Sequence, residues 1–144
     1  MNERRSVALQ RGSSLVEAVL VGLVLLIPLL WTLTVLSELH RGALAATAAV
    51  REAGAGAARS GDRAVAGRVV EAAVTDAFRD HGLDPADAVV RWSGSLERGT
   101  PVEIQIRYPV PVMRVPFVGA LSQASIWVEA RHRARVDLYR SRAR

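Results

Sequence analysis

The chain has 144 residues and no cysteine, which excludes disulfides, thiolate metal sites and cysteine nucleophiles. Its formal net charge is +5, and arginine supplies all of the basic side chains, because lysine is absent. The stretch from Arg131 to Arg144 holds six Arg and one Asp, +5 by itself, so the remainder is balanced near zero and only the tail is basic.

The first recognisable element is a membrane span. From Ala18 to Leu36 no residue is charged, and at 1.5 Å per residue this run makes roughly 28 Å of helix, close to the thickness of a bilayer's hydrocarbon. Pro28 removes one internal hydrogen bond, which membrane helices tolerate. Arg4, Arg5 and Arg11 precede the run and outnumber Arg41 and Arg51 after it, favouring a cytoplasmic N-terminus. A conventional signal peptide cut near Ala43-Leu44-Ala45 fits less well. The apolar run is long for an h-region, and Glu38, His40 and Arg41 separate it from that site.

The stretch Arg11-Gly12-Ser13-Ser14-Leu15-Val16-Glu17 places a carboxylate just inside an apolar helix. At a bilayer centre this would cost on the order of 2.5–3.5 kcal/mol. One compensation is a capping box, with Ser14 as N-cap and Glu17 at N3. The string also resembles a type IV or class III prepilin signal, in which a prepilin peptidase cuts after Gly and leaves Glu at the fifth mature position. On that likeness Gly12 ends the leader, Ser13 begins the mature chain and Glu17 is its fifth residue.

Beyond the span, Leu36, Leu39, Ala43, Ala46, Val50, Ala53 and Ala57 follow a 3,4 spacing. This seam faces either a neighbouring helix or the chain's own domain. Gly54 and Gly56 weaken the helix, so the Ala-rich segment is expected to end around Arg51-Glu52-Ala53-Gly54, with a break at Ser60-Gly61-Asp62 and Asp62 as the next N-cap. A second helix is predicted over Arg63 to Asp80, with Val65, Val69, Ala72 or Ala73 and Ala77 on its apolar side, and Gly82 as its stop. Period-two alternation then marks strands at Ala88 to Trp92, Val102 to Tyr108 and Ile126 to Leu138. Pro109, Pro111 and Pro116 argue against a central strand between the two longer ones.

The fold expected is therefore α+β: an N-terminal transmembrane helix continuing into an Ala-rich helix, a second helix, then a small antiparallel sheet of about three strands. This order, with Val102 to Val112 and Arg107-Tyr108-Pro109-Val110-Pro111 in the C-terminal half, resembles the TadE-like pseudopilins of the tight-adherence (Flp-type) pilus system along nearly the whole chain. The resemblance implies a basic leader (1–12) that is removed, a transmembrane helix (13–36) and an extracytoplasmic pseudopilin-like domain (37–144). It implies a minor structural component for assembly of a tight-adherence, type IV-like pilus, anchored in the plasma (inner) membrane with its N-terminus cytoplasmic. Its partners would be the prepilin peptidase, other pilins and pseudopilins, the pilus-assembly machinery and the lipid bilayer. In such an assembly, Glu17 would pair with the Ser13 amine of a neighbouring subunit. The alternative is an uncleaved, membrane-tethered extracytoplasmic binding module.

Little in the sequence suggests catalysis, and no cofactor is implied. Asp84 and Asp87 sit in a turn, where carboxylates commonly cap backbone. His40, His81 and His132 lack ligand-spaced partners, and there is no Gly-rich phosphate loop. Arg131, Arg133 and Arg135 share a strand face with Trp127, a pattern that can bind nucleic acid. No nucleic acid is expected, because a domain outside the cytoplasm does not meet it and a charged edge strand is the simpler reading.

Overall fold

The computed structural model describes residues 3–111 and 124–137, with side chains from residue 14 onward. Helix α1 covers Glu3–Arg59, α2 covers Arg63–Asp80, and a 3-10 turn covers Pro85–Asp87. Strands β1 (Val89–Gly94), β2 (Pro101–Pro111) and β3 (Ser125–Arg135) form one antiparallel sheet in the order β1-β2-β3. The fold is α+β, with a long apolar N-terminal helix, as expected. The chain divides into two compact units, Met1–Ser37 and Glu38–Arg144, and α1 runs from the first into the second.

In the first unit α1 carries its apolar side chains outward: Leu15 to Leu33 include a continuous series of exposed Leu, Val and Ile. The helix is long and apolar enough to cross a membrane, and its most apolar window has no buried residue. The expected cap at Ser14 does not form, because the helix begins at Glu3 and Ser14 lies in its interior.

The second unit holds the core. Ala45, Ala46, Ala49, Val50, Ala53 and Ala57 of α1 are buried with Ala66, Val70, Val74, Ala77 and Phe78 of α2 and with Val102, Ile104, Ile106, Tyr108 and Val110 of β2. The two readings of the alanine seam are thus resolved: from Ala46 to Ala57 it packs on the chain's own domain. The helix does not stop at Gly54, as its propensity suggested, but continues to Arg59. Packing outweighs propensity there. A Cβ on Gly54 would lie 2.7 Å from His132 Cδ2, one on Gly42 would lie 2.9 Å from Val110 Cγ2, and one on Gly56 would overlap Val69. Only a bare backbone lets the sheet and α2 approach this closely.

Helix α2 keeps its predicted bounds. Asp62 caps it by accepting from the Ala64 N–H at 3.1 Å. At the other end, Gly82 N–H donates to the Arg79 carbonyl and Leu83 N–H to the Phe78 carbonyl, both at 2.9 Å, a Schellman closure with Gly82 at φ +67°. Its buried stripe is rotated by about one residue from the predicted one: Ala66, Val70, Ala73, Val74, Ala77 and Phe78 face inward, while Val65 is exposed. Phe78 explains the shift. Fully buried 4.8 Å from the Tyr108 ring, it is worth about 1.5–3 kcal/mol of transfer, more than a small Ala on the other stripe.

The prolines of β2 need a correction, since the strand runs through Pro109 to Pro111 and is the central one. Pairing with β1 covers only Val102 to Arg107, from Gly94↔Val102 to Val89↔Arg107, whereas pairing with β3 runs from Pro101↔Arg135 to Pro111↔Ser125. The Thr100 carbonyl accepts from Val136 N–H at 3.1 Å, so even-numbered residues bond toward β3 and odd-numbered ones toward β1. Pro101, Pro109 and Pro111 are all odd and lie outside the stretch that β1 covers. Their missing donors remove no ladder bond. Pro116 and Leu138 lie outside the described residues.

Two glycine substitutions separate packing from propensity. Gly67, inside α2 with nothing near its would-be Cβ, should stabilise the chain by about 0.5–1 kcal/mol when changed to Ala. Gly56→Ala gains a similar amount of propensity but overpacks against Val69, which typically costs about 1–3 kcal/mol, for a net loss centred on about 1 kcal/mol. Denaturant midpoints of the full chain in detergent should move in opposite directions.

Candidate functional site

The residues singled out for processing and assembly lie on α1. Gly12 and Ser13 are helical, and Glu17 is exposed one turn further on. Glu17 is the only ionisable residue between Arg11 and Glu38. The span's hydroxyls are already satisfied, Thr32 donating to the Pro28 carbonyl at 2.8 Å and Thr34 to the Leu30 carbonyl at 3.0 Å. At the far end of the apolar run Glu38 and Arg41 form an i,i+3 pair at 2.9 Å, half-exposed and worth little by itself.

The second unit presents two further surfaces. A groove of about 530 Å³ lies between α2 and β1, floored by Val70, Val74, Val90 and Trp92, with Glu71 and Arg79 among its polar lining. The Arg63 guanidinium sits 4.5 Å from the Trp92 ring centroid. On the outer face of the sheet, Arg133 pairs with Glu103 at 2.9 Å, and Glu129 accepts from Arg131 and lies 3.7 Å from Arg107 Nε. The hydrogen bond from Arg131 is the first cause that holds the Glu129 carboxyl below its ordinary range. The Arg107 guanidinium stacks 5.1 Å from the Trp127 ring.

The remaining candidates take structural positions. The Asp84 carboxylate accepts from the Ala86 N–H at 2.9 Å as the cap of the 3-10 turn. His81 closes α2, its Nδ1 2.8 Å from the Ala77 carbonyl oxygen, and His132 faces inward against Gly54. Among the described residues, no group of three or more His, Cys, Asp or Glu is placed to hold a metal ion. Sequence spacing pointed to Trp127 with Arg131, Arg133 and Arg135. It did not point to Arg107 or to the Arg63–Trp92 stack, because those partners meet only through strand register and the docking of α2. Arg140, Arg142 and Arg144 lie outside the described residues. Comparisons of the chain with protein-family models, curated proteins and solved structures found no match.

Tyr108 is the titratable group most tied to the core. Burial pushes its hydroxyl above the usual 10.0, and the nearby Asp87 carboxylate adds to the rise. A pKa raised in the folded state gives stability that is fully present below pH 10 and is lost as pH climbs beyond it. Denaturant titrations across that range should show a steeper alkaline loss for the parent chain than for Tyr108→Phe.

Proposed function

We propose that the chain is a minor pseudopilin-like subunit, stored in the membrane by α1 and used in assembly of a tight-adherence, type IV-like pilus. One observation carries this reading. A single helix is bare and apolar over its first half, with a carboxylate near the start, and is packed into an α+β domain over its second half. Such a subunit can rest in a bilayer and later exchange lipid for the helices of other subunits, because both surround the same apolar surface.

In this reading a prepilin peptidase cuts after Gly12 and frees the Ser13 amine. Glu17 of one subunit then pairs with the Ser13 amine of a neighbour, which sets the stagger between subunits. In a low-dielectric bundle an unpaired carboxylate is strongly penalised, so wrong staggers are disfavoured. The N-terminus lies in the cytoplasm and the domain outside, in keeping with the arginines that precede the span. The protein's work is assembly, without chemistry of its own.

Two experiments test this. Mass spectrometry of the protein from cells with active prepilin peptidase should give a chain that starts at Ser13, with 144 − 12 = 132 residues. An intact leader there would overturn the reading and favour an uncleaved tethered module. Separately, Glu17→Gln should still be cut and inserted yet fail to support pilus formation, whereas Gly12→Leu should block the cut. Normal pilus numbers with Glu17→Gln would rule out the pairing mechanism.

A further inference from the structure

The outward face of the sheet carries Arg91, Arg107, Arg131, Arg133 and Arg135 against two carboxylates, Glu103 and Glu129, a balance of 5 − 2 = +3. Both carboxylates are already engaged by arginines of the same face, and among the described residues Arg91 and Arg135 have no ion pair. At one end of this face Trp127 is 48% exposed. Arg107 stacks on Trp127, and its buried Nε has no hydrogen-bond partner.

That end of the sheet packs on the first residues of α1 that belong to the second unit. Val110, paired with Ile126, packs on Gly42 of α1. Gly42 is four residues, or about 6 Å of helix, from Glu38, where the second unit begins. The Trp127 end of β3 is thus held, within the second unit, beside the part of α1 with which that unit begins.

We propose that this face docks on the anionic phospholipid headgroups of the bilayer that α1 crosses. Tryptophan favours the interface between headgroups and acyl chains. Arginine is weakly hydrated and forks onto phosphate oxygens. The tether keeps the bilayer at high effective concentration, so even a small net attraction holds the face down. A polynucleotide would have to arrive from bulk solution and would offer Trp127 no boundary between headgroups and acyl chains. Docking of this kind is independent of leader cleavage, so it stands or falls separately from the pilus reading.

The test uses the full chain with Trp31→Phe and Trp92→Phe, which leaves Trp127 as the sole tryptophan. It is reconstituted into vesicles of brominated phosphatidylcholine, with or without phosphatidylglycerol, and insertion is checked by resistance to carbonate extraction. With phosphatidylglycerol, Trp127 emission should shift to the blue and be quenched by the brominated chains, and high salt should reverse both. Changing Arg91 and Arg135 together to Gln should lower the ratio of docked to free domain by about 25-fold, at roughly fivefold for each arginine near an anionic surface. Water-like, unquenched emission from the inserted chain in phosphatidylglycerol vesicles would overturn the proposal. So would a response to added single-stranded DNA but not to phosphatidylglycerol, which would make the face a nucleic acid site. An undiminished response in the double Gln chain would remove its electrostatic basis.

Discussion

The close approach of side chains from the sheet and α2 to the bare backbone of α1 is the constraint on which the domain depends. Gly42 and Gly54 let the sheet come within reach of the helix axis, and Gly56 does the same for α2. Between them Ala45, Ala46, Ala49, Ala53 and Ala57 are fully buried yet contribute little volume. The larger share of the apolar burial comes from the other side, from Phe78 and from Ile104 and Ile106 of β2. Because α1 offers a nearly smooth surface, register is set by its partners: the Phe78–Tyr108 ring contact ties α2 to the sheet, and Val110 abuts Gly42. A larger side chain at any of these glycines must displace a packed neighbour, and close-packed interiors transmit that strain.

The same helix meets opposite environments along its length. From Ala18 to Leu36 it carries no charge, and exposed Leu, Val and Ile lie all round it. From Ala45 to Ala57 it is apolar on one side only, with Arg51, Glu52 and Arg59 exposed on the other. An all-round apolar helix suits a uniform apolar solvent, and a one-sided one suits a protein core. The pattern changes within one helix, and the change falls near Glu38 and Arg41, the first charged residues after Glu17.

Charge is segregated by face as well. The inner face of the sheet is apolar, and its partly buried His132 sits against bare backbone at Gly54. On the outer face Arg133 pairs with Glu103 and Arg107 with Glu129, which links β2 and β3 laterally, and a charged edge strand is a poor template for pairing with another chain. The exposed pairs each contribute little stability. Their larger consequence is that the glutamates are already neutralised, and the residual charge of the face is cationic.

The sequence by itself determined the order of the elements and most of their limits. The span, the bounds of α2 with Asp62 and Gly82, and the three strands all follow from periodicity and end signals, because these depend on residues near one another in the chain. It could not decide what depends on distant partners. Whether the alanine seam faced a second helix or its own sheet is a question of tertiary contact, and only the structure turned it inward. The helix runs through Gly54 where it packs on the sheet, and His132, far along the chain, fills the space that a Cβ there would take. Pro109 and Pro111 sit in a central strand because β1 has already ended beside them. Helix α2 is rotated by the pull of Phe78 toward Tyr108. Local propensities amount to about 1 kcal/mol per residue at most for such glycines. Packing a fully buried aromatic or avoiding a clash with a packed side chain is worth more, so wherever the two conflict the tertiary structure wins.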